Sequence, residues 1–339
     1  MSTNVYGIDL GTCNLKIFCK ATGKVINEKN AIATVNKNQL YAFGNDAYAM
    51  YEKAPDSIKV SFPVVNGVIA DYNNMQNMIG EVLEKHVKNH IKGAEFIVAV
   101  PTDITEVEKK AFFDLFYKSR FKAKSVLLCE KPISDAVGLD LDVGSPTGFM
   151  IVNIGADTTE ISVISLGGLV LSDLLHFGGK RIDESIISHM KRNFGLVIGQ
   201  KTAMYLKETL GCALPEEEEQ TTVIVGRDVV SGLPIEMEIS STVIYEAIKD
   251  NLNSICNSIK MILEKTPPEL ARDIIHSGIY ITGGSSKIKR LDELFTQITN
   301  IKVNTCELPE ESAVRGLNKI VSDEKLRKLA FSMKTRIYK

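Results

Sequence analysis

The sequence predicts an α/β protein of two domains, because short apolar runs alternate with amphipathic stretches along its 339 residues. At about 150 residues per domain, this length is enough for two hydrophobic cores. Of the residues, 44% are hydrophobic and 24% are charged, as in an ordinary globular protein, and the net charge is −2. A nearly neutral chain has no general attraction to nucleic acid, so we expect no nucleic-acid partner.

The apolar runs are short, as strands are, and the stretches between several of them have helical periodicity. The runs predicted as strands are Val5–Leu10, Phe96–Val100, Ser125–Leu128, Met150–Ile154, Ile161–Ile164, Leu169–Leu175, Val223–Val225 and Ile279–Ile281. A helix is predicted after Thr105, because Thr105 and Glu108 form a capping box ahead of an apolar face. Another is predicted over Val243–Leu263, where one apolar face persists for about five turns before Pro267 stops the helix.

Two strand–turn–strand hairpins lie in opposite halves of the chain, at Ile8–Asn14 and at Ile154–Thr159. Their repetition indicates a duplicated domain, and the turn-rich segment Gly144–Gly148 is the best candidate for the boundary. A glycine turn lets backbone N–H groups approach phosphate oxygens, and Asp9 beside the first turn can hold Mg²⁺ through water. Taken alone, the first hairpin is equally compatible with a simple β-turn.

A third glycine turn follows the predicted strand Ile279–Ile281. Thr282–Ser286 leads there into a helical pattern that includes Ile288 and Leu291. A strand–glycine–helix junction directs backbone N–H groups toward an anionic or polar ligand. The chain has neither a Walker motif nor a GxGxxG motif, so neither a P-loop nor a Rossmann site accounts for the three turns.

In these turns the chain resembles the actin–Hsp70–sugar kinase superfamily, and within it the MreB family of bacterial actins. The motifs that carry the resemblance are Ile8–Thr12, Asn153–Glu160 and Ile281–Ser285. Further matching segments are Asp56–Lys59, Asn66–Tyr72, Val100–Pro101, Glu130 with Pro132, Val163–Gly167 and Leu263–Leu270. The resemblance runs through nearly the whole chain, from residue 5 to residue 320.

The resemblance implies an actin-like ATPase fold with two RNase H-like domains and a nucleotide cleft between them. It also implies four subdomains with discontinuous boundaries. Subdomain IA would comprise residues 1–31, 67–142 and 314–339, and subdomain IB residues 32–66. Subdomain IIA would comprise residues 143–181 and 245–313, and subdomain IIB residues 182–244.

By the same resemblance, ATP or ADP binds with Mg²⁺, and the contacting residues can be carried over from the family motifs. The β- and γ-phosphates would meet Gly11, Thr12, Cys13 and Asn14. The opposite side of the phosphates would meet Gly155, Ala156, Asp157 and Thr158. The sugar would be flanked by Gly179, Met204 and Lys207, and the adenine and α-phosphate by Gly283, Gly284, Ser285 and Ser286. The metal would lie near Asp9 and Asn153.

One departure from the family pattern falls on the catalytic position. Family members usually carry two glutamates before the proline that is Pro132 here, and the second positions the attacking water. This chain has Glu130 followed by Lys131. A charged ammonium has three donors and no acceptor, so it neither orients nor deprotonates water. We therefore expect ATP hydrolysis to be slow.

Further departures surround the same region. Asn153 replaces the family aspartate and removes a negative charge near Mg²⁺. Asp157 stands at the third glycine of its motif, where aspartate tolerates a left-handed backbone, and its carboxylate is expected to face phosphate oxygens or to pair with Lys131. Met204 replaces a glutamate beside the sugar, whereas Thr158, the second water-positioning residue, is retained. The alternative is sequence drift with compensating residues elsewhere.

The usual membrane anchors of the family are expected to be absent, because Asn89–Glu95 is short and mostly polar and few residues precede Val5. No apolar run approaches the roughly 20 residues that span a bilayer. The C-terminal tail interleaves basic Lys325, Arg327, Lys328, Lys334, Arg336 and Lys339 with apolar Leu326, Leu329, Phe331, Met333 and Ile337. Such a tail suits an anionic membrane or a partner; the alternative is a terminal helix with a basic end.

The resemblance implies a cytoplasmic protein, at the inner face of the membrane where the tail binds lipid, that assembles with itself into paired protofilaments and serves cell shape. The altered site and the absence of tryptophan suit a divergent paralogue, as in helical wall-less bacteria of the Spiroplasma type, with other cytoskeletal paralogues as partners. The six scattered cysteines form no CxxC pair and are expected to be free thiols. Two alternatives stay open: an enzyme or chaperone on the same fold, and a scaffold that polymerises without using nucleotide.

Overall fold

The computed structural model describes residues 4–36, 39–87 and 91–333. Its strands, in chain order, are β1 (Val5–Leu10), β2 (Asn14–Cys19), β3 (Lys24–Lys29), β4 (Ile32–Val35), β5 (Gln39–Phe43), β6 (Ile58–Ser61), β7 (Val64–Val65), β8 (Val68–Ile69), β9 (Glu95–Val100), β10 (Ser125–Glu130), β11 (Phe149–Ile154), β12 (Thr159–Ser165), β13 (Gly168–Leu175), β14 (Leu196–Val197), β15 (Thr221–Asp228), β16 (Pro234–Ser240), β17 (Ile279–Thr282) and β18 (Val303–Asn304). Each predicted strand lies within one of these.

The helices alternate with the strands, which confirms the α/β class. They are α1 (Gly44–Met50), α2 (Tyr72–Val87), α3 (Glu106–Tyr117), α4 (Lys131–Gly138), α5 (Gly179–Phe194), α6 (Gln200–Leu210), α7 (Ser241–Lys265), α8 (Pro268–Ser277), α9 (Leu291–Thr299) and α10 (Ser312–Ser322). The capping box of α3 is formed: the Glu108 backbone N–H donates to Thr105 Oγ1 at 3.2 Å, and the Thr105 N–H donates to Glu108 Oε2 at 2.7 Å. Helix α7 ends before Pro267, as predicted.

The described residues form two compact units. The first consists of the described parts of Met1–Thr147, Ile164–Leu174 and Glu310–Lys339, and the second of Gly148–Val163 and Leu175–Pro309. The first change of unit along the chain falls within the predicted turn-rich segment Gly144–Gly148. The finer division into four subdomains stays a prediction.

The first unit is built on a sheet of order β10-β9-β1-β2-β3. Strands β10, β9 and β1 are parallel to one another, whereas β2 and β3 continue the sheet antiparallel. Strand β1 is buried along its whole length, as expected of a strand covered on both faces. The core beside it contains stacked rings, with Tyr6 5.6 Å from Phe96 and Phe96 5.0 Å from Phe116. This parallel arrangement brings the carboxyl ends of β1 and β10 to the same edge.

Helix α4, which follows β10, is fixed in place by a close crossing with α10. A Cβ atom on Gly316 would lie 1.7 Å from the carbonyl oxygen of Ser134, and one on Gly138 would lie 2.0 Å from that of Ser312. The two backbones therefore touch only because both positions are glycine. Within the crossing, Ser312 Oγ donates to Asp135 Oδ1 at 2.6 Å, and both residues are buried. Helix α4 is thus held over its later part, Ser134–Gly138, by backbone contact rather than by long side chains.

The second unit places β11, β17 and β18 side by side in a sheet of order β13-β12-β11-β17-β18. Strands β11 and β17 are parallel, and their register sets Asn153 beside Thr282. The two glycine turns that follow these strands therefore begin at the same sheet edge. A smaller sheet of order β14-β15-β16 lies farther along the chain.

The C-terminal tail packs on the first unit as far as Met333, which is buried. Phe331 and Leu128 exchange two backbone hydrogen bonds of 2.8 Å, and Arg327 forms an ion pair with Glu95. The apolar residues of this part of the tail therefore contribute to the fold, while Lys325 and Lys328 are exposed. Tail residues Lys334, Arg336, Ile337 and Lys339 lie outside the described residues, as do Asn89, His90 and the first three residues of the chain.

No helix within residues 4–36, 39–87 and 91–333 is long and apolar enough to cross a membrane.

Candidate functional site

The first predicted phosphate turn, Gly11–Asn14, joins β1 to β2 and is held from behind by Asn30. Asn30 is fully buried; its Nδ2 donates to the Gly11 carbonyl at 2.8 Å and its backbone N–H to the Cys13 carbonyl at 2.9 Å. A Cβ atom on Gly11 would lie 2.8 Å from the Asn14 carbonyl oxygen, so the turn requires glycine there. Two carbonyl acceptors of the turn are thus engaged inside the protein. Asn30 was missed by sequence analysis.

Asp9, the predicted metal residue, is buried at the end of β1 between two ammonium groups. Lys16 lies directly opposite it on β2 with Nζ 3.5 Å from Oδ2, and Lys131 Nζ lies 3.6 Å from Oδ1. Burial by itself raises the pKa of the Asp9 carboxyl, but the Lys131 and Lys16 ammonium groups outweigh that effect and hold the pKa below its ordinary value. Asp9 therefore stays ionised, with its charge already compensated.

Lys131 reaches Asp9 because it is the first residue of α4, directly after β10. Glu130 is the N-cap, Pro132 follows in the first turn, and the crossing with α10 fixes the helix. A cation at a helix N-terminus faces the positive end of the helix dipole, which is unfavourable. The Asp9 carboxylate offsets that repulsion. The sequence shows a lysine at this position. It did not indicate that Asp9 would be the partner of that lysine.

The second predicted phosphate turn, Gly155–Thr158, joins β11 to β12 and is anchored by the two other glycine segments of its unit. The Gly155 N–H donates to the Thr158 carbonyl at 2.8 Å. The Gly155 carbonyl accepts from the Gly179 N–H at 2.9 Å and from Ser285 Oγ at 3.0 Å. Three segments far apart in sequence, around Gly155, Gly179 and Ser285, therefore meet at one place.

Asp157, within this turn, forms an ion pair with Lys180 in the first turn of α5. The Lys180 Nζ atom lies 2.8 Å from Asp157 Oδ1, and the Lys180 backbone N–H donates to the Ala156 carbonyl at 2.8 Å. The Asp157 side chain is almost completely buried. Sequence analysis expected this carboxylate to face phosphate or to pair with Lys131, and Lys180 is a partner that it did not consider.

Lys207, predicted beside the sugar, forms a buried ion pair with Asp183. Its Nζ lies 2.7 Å from Asp183 Oδ1 and donates to the Gly179 carbonyl at 3.1 Å. Burial raises the pKa of the Asp183 carboxyl above its ordinary value, and the Lys207 ammonium opposes that rise only in part. Met204 is half-buried one turn earlier on α6. Asp183 was another residue that sequence analysis missed.

The third glycine turn has a backbone that only glycine adopts readily. Gly283 has a φ of +85°, and a Cβ atom there would lie 2.4 Å from the Ile154 carbonyl oxygen and 2.6 Å from Asn153 Oδ1. The Gly283 N–H and Thr282 Oγ1 both donate to the Pro309 carbonyl, at 2.9 and 2.6 Å. Gly284 and Ser286 follow in a 3₁₀ turn, Gly284–Lys287. This turn and Asn153 are consequently in close contact.

Asp9 of the first unit and Asn153 of the second, the two residues predicted near the metal, each suit Mg²⁺ only in a limited sense. Asp9 contributes one carboxylate that two ammonium groups already share, and Asn153 contributes a neutral amide. In the part of the chain that the structure describes, no three His, Cys, Asp or Glu side chains come together as a metal cluster. Mg²⁺ prefers oxygen ligands and keeps several waters. Either residue by itself would therefore fit only an ion that is held mainly by phosphate oxygens and water.

Comparison with known proteins gives the family. The model of the MreB/Mbl protein family matches residues 3–329. The chain belongs to this family. It is 36% identical over 312 residues to the cell shape-determining protein Mbl of Bacillus subtilis, covering 91% of this chain and 93% of that protein. It is 35% identical over 323 residues to the cell shape-determining protein MreB of Escherichia coli K12, covering 93% and 92%. The predicted MreB resemblance is confirmed.

Solved structures agree with the assignment to the MreB/Mbl family. The crystal structure of MreB5 of Spiroplasma citri bound to AMPPNP matches with a TM-score of 0.91 and 32% identity, covering 97% of this chain and 98% of that one. A MamK double helical filament matches with a TM-score of 0.79 at 19% identity, a likeness that concerns the fold alone. The predicted actin-like fold is confirmed.

The buried pairing of Asp9 leads to a prediction about pH. We expect Asp9→Asn to lower the free energy of unfolding at neutral pH by about 3 kcal/mol, because it leaves two buried ammonium groups without their carboxylate. A carboxyl whose pKa is depressed by folding stabilises the protein above its unfolded pKa and ceases to do so as the pH falls through its folded pKa. The difference from wild type should therefore be largest at neutral pH and shrink below about pH 4.

Urea unfolding of both proteins from neutral pH to about pH 3 checks this. Glu106→Gln, which breaks an exposed pair with Lys109, is the matched control and should have little effect at any pH. A difference between Asp9→Asn and wild type that stays constant over the whole range would contradict the assignment.

Proposed function

We propose that this member of the MreB/Mbl family is a cytoskeletal protein that assembles into filaments, binds ATP or ADP with Mg²⁺ at its glycine turns, and hydrolyses ATP slowly. Its cellular task would be cell shape, or helicity and motility. The relatives named above are cell shape-determining proteins, and they match this chain over more than nine-tenths of its length. The proposal extends their task to this chain.

Nucleotide binding is supported by the way the turns are anchored. The carbonyls of Gly11, Cys13 and Gly155 are all engaged by donors inside their own units, so these acceptors are directed away from a phosphate ligand. Turns whose carbonyls are occupied in this way can offer N–H groups to an anion. MreB5 of Spiroplasma citri has been solved with AMPPNP and with ADP, and these two structures match with TM-scores of 0.91 and 0.90.

Slow hydrolysis rests on one observation, the Lys131 ammonium 3.6 Å from the Asp9 carboxylate. An ammonium has no acceptor with which to align an attacking water, and this one is committed to a buried carboxylate. Thr158 retains its hydroxyl at the position that the resemblance assigns to the second water contact. The expected result is a protein that binds ATP and keeps it.

Assembly in the presence of ATP, of ADP and without nucleotide tests the proposed function as a whole. We expect filaments by electron microscopy and pelleted protein in ultracentrifugation with ATP, and much less of both without nucleotide. Calorimetric titration with ATP should be run on the same samples. Equal pelleting in all three conditions, together with the absence of ATP binding, would instead support the scaffold that polymerises without nucleotide.

A substitution at Lys131 tests the slow turnover. We expect Lys131→Glu to raise the rate of phosphate release at least about 100-fold, because a carboxylate at this position can accept a hydrogen bond from the attacking water. The measurement is phosphate release with a coupled assay at saturating ATP. Lys110→Glu, the same charge reversal at an exposed site on α3, is the control. If wild type and Lys131→Glu release phosphate at the same brisk rate, the role assigned to Lys131 is wrong.

We also propose that the basic tail contacts an anionic membrane surface through its charges. Its apolar residues Phe331 and Met333 pack on the first unit, so exposed bases such as Lys325 and Lys328 would carry the interaction. Lys325→Glu with Lys328→Glu should weaken binding to anionic liposomes about 30-fold, at about 1 kcal/mol per basic residue near the surface. Charge reversal is preferable to deletion after Asp323, which would also remove the Phe331 pairing.

Liposome sedimentation with and without anionic lipid measures this effect. Lys110→Glu on α3 with Lys118→Glu at its C-cap provides a control of equal charge change. Unchanged binding after reversal of Lys325 and Lys328 would remove these two lysines from the membrane proposal.

A further inference from the structure

We propose that the tip of the β15–β16 hairpin, Val229–Leu233, inserts its apolar side chains into the interface of an anionic membrane. This contact is separate from that of the tail, because the hairpin lies wholly in the second unit whereas the tail packs on the first. Exposure of the tip, hydrogen bonds within it and cations beside it all favour insertion.

Three apolar side chains of the tip project into solvent. Val229, Val230 and Leu233 are 50%, 94% and 64% exposed, respectively. Gly232, which lies among them, has a φ of +71°, and a Cβ atom there would meet nothing within 4 Å. Single exposed apolar residues are ordinary on a protein surface, but a group of them at an uncovered turn marks a contact site.

The backbone of the tip has its hydrogen bonds satisfied without water. The five N–H groups of Val229–Leu233 all donate to acceptors of the same unit. Two donate to Asp228 Oδ1 at 3.1 and 2.6 Å, one to the Asp228 carbonyl at 3.0 Å, one to the Gly195 carbonyl at 2.8 Å and one to Ser231 Oγ at 3.3 Å. Because an unpaired backbone donor is costly outside water, a turn that satisfies its own donors can leave water at low cost.

Cations flank the tip where α5 ends against the hairpin. Helix α5 ends at the exposed Phe194, and the next strand, β14, pairs with β15 at Arg227. Lys191 and Arg192 lie in the last turn of α5, and both are exposed, as is Arg227. Within the described part of the chain, none of these three cations forms an ion pair with a carboxylate. Apolar side chains beside uncompensated bases suit an anionic lipid interface, where apolar burial and attraction to headgroups act together.

The rest of the hairpin is less suited to lipid. Val223 and Val225 are exposed too, but the register sets Glu238 and Glu236 directly opposite them. Anionic headgroups would repel these two carboxylates. The contact should therefore be confined to the tip, and the two valines of β15 provide matched control positions.

A single introduced tryptophan tests the insertion, because the chain contains none of its own. The full chain carrying Val230→Trp is mixed with vesicles of equal parts phosphatidylglycerol and phosphatidylcholine. We expect its emission to shift to shorter wavelength and to be quenched by brominated lipid chains. Val225→Trp on the same hairpin should show neither change, because it lies beside Glu236.

Vesicle sedimentation measures the contribution of the tip to binding. Val230→Thr with Leu233→Thr should weaken binding to the same vesicles at least about tenfold, because the side chains gain less on leaving water. Val223→Thr with Val225→Thr is the matched control and should bind as wild type. Thermal unfolding shows that both double variants are folded. Vesicles of phosphatidylcholine alone should bind wild type weakly, since the cations then have no anionic partner.

The outcomes distinguish the tip from the tail. Vesicle binding with unchanged emission of Val230→Trp overturns the insertion of the tip and leaves the tail contact standing. Absence of vesicle binding by wild type overturns both contacts. Loss of filament assembly in Val230→Thr with Leu233→Thr, with vesicle binding unchanged, would assign the tip to a contact between copies of this chain and would also overturn the proposal.

Discussion

The Asp9 carboxylate and its two lysine partners form the interaction on which the end of β1, beside the Gly11–Asn14 turn, depends. A charge buried at the end of a central strand is tolerated only where opposite charge lies close to it. Lys16 is supplied by the register of β1 with β2, and Lys131 by the parallel arrangement of β1, β9 and β10, whose carboxyl ends share one edge. The glycine crossing of α4 with α10 then fixes the helix that begins at Lys131. The strand order and the helix packing are therefore both needed to bring opposite charge close to the buried Asp9 carboxylate.

In both units, carbonyl oxygens of the glycine turn accept hydrogen bonds from other segments of the same unit. A turn that is to attract an anion must direct its carbonyl oxygens elsewhere, because an acceptor facing phosphate is repulsive. In the first unit Asn30 engages two of these carbonyls, and in the second Gly179 and Ser285 engage that of Gly155. The glycines are needed at Gly11 and Gly283 because backbone atoms approach so closely there that a Cβ atom would collide with them. Backbone and side-chain donors from other segments thus determine which groups each turn presents.

Features that the sequence predicted well were local ones. Strand β1 is a continuous apolar run because both its faces are covered, and the capping box of α3 lies within four residues. Strand β3, Lys24–Lys29, has no such run, because much of it is exposed, and no apolar pattern marks it. The partners of Lys207 and of the Gly11 turn, Asp183 and Asn30, could not be predicted locally, since only the fold brings them together. Lys16 was within reach, because the hairpin register sets it opposite Asp9.

The departures from the family pattern are easier to understand as a set than one at a time. By resemblance, lysine at 131 and asparagine at 153 each replace an acid, while aspartate at 157 replaces a glycine. Drift without compensation would leave the new charges without partners, and a buried unpaired charge is strongly destabilising. Instead, Lys131 lies beside Asp9, and the carboxylate at 157 lies 2.8 Å from Lys180. Each new charge has a local partner of opposite sign within its own unit, so neither substitution leaves a buried charge unpaired. Such pairing is expected if, as proposed above, the protein retains its nucleotide and hydrolyses it slowly, because the altered residues then have to be accommodated without loss of the fold.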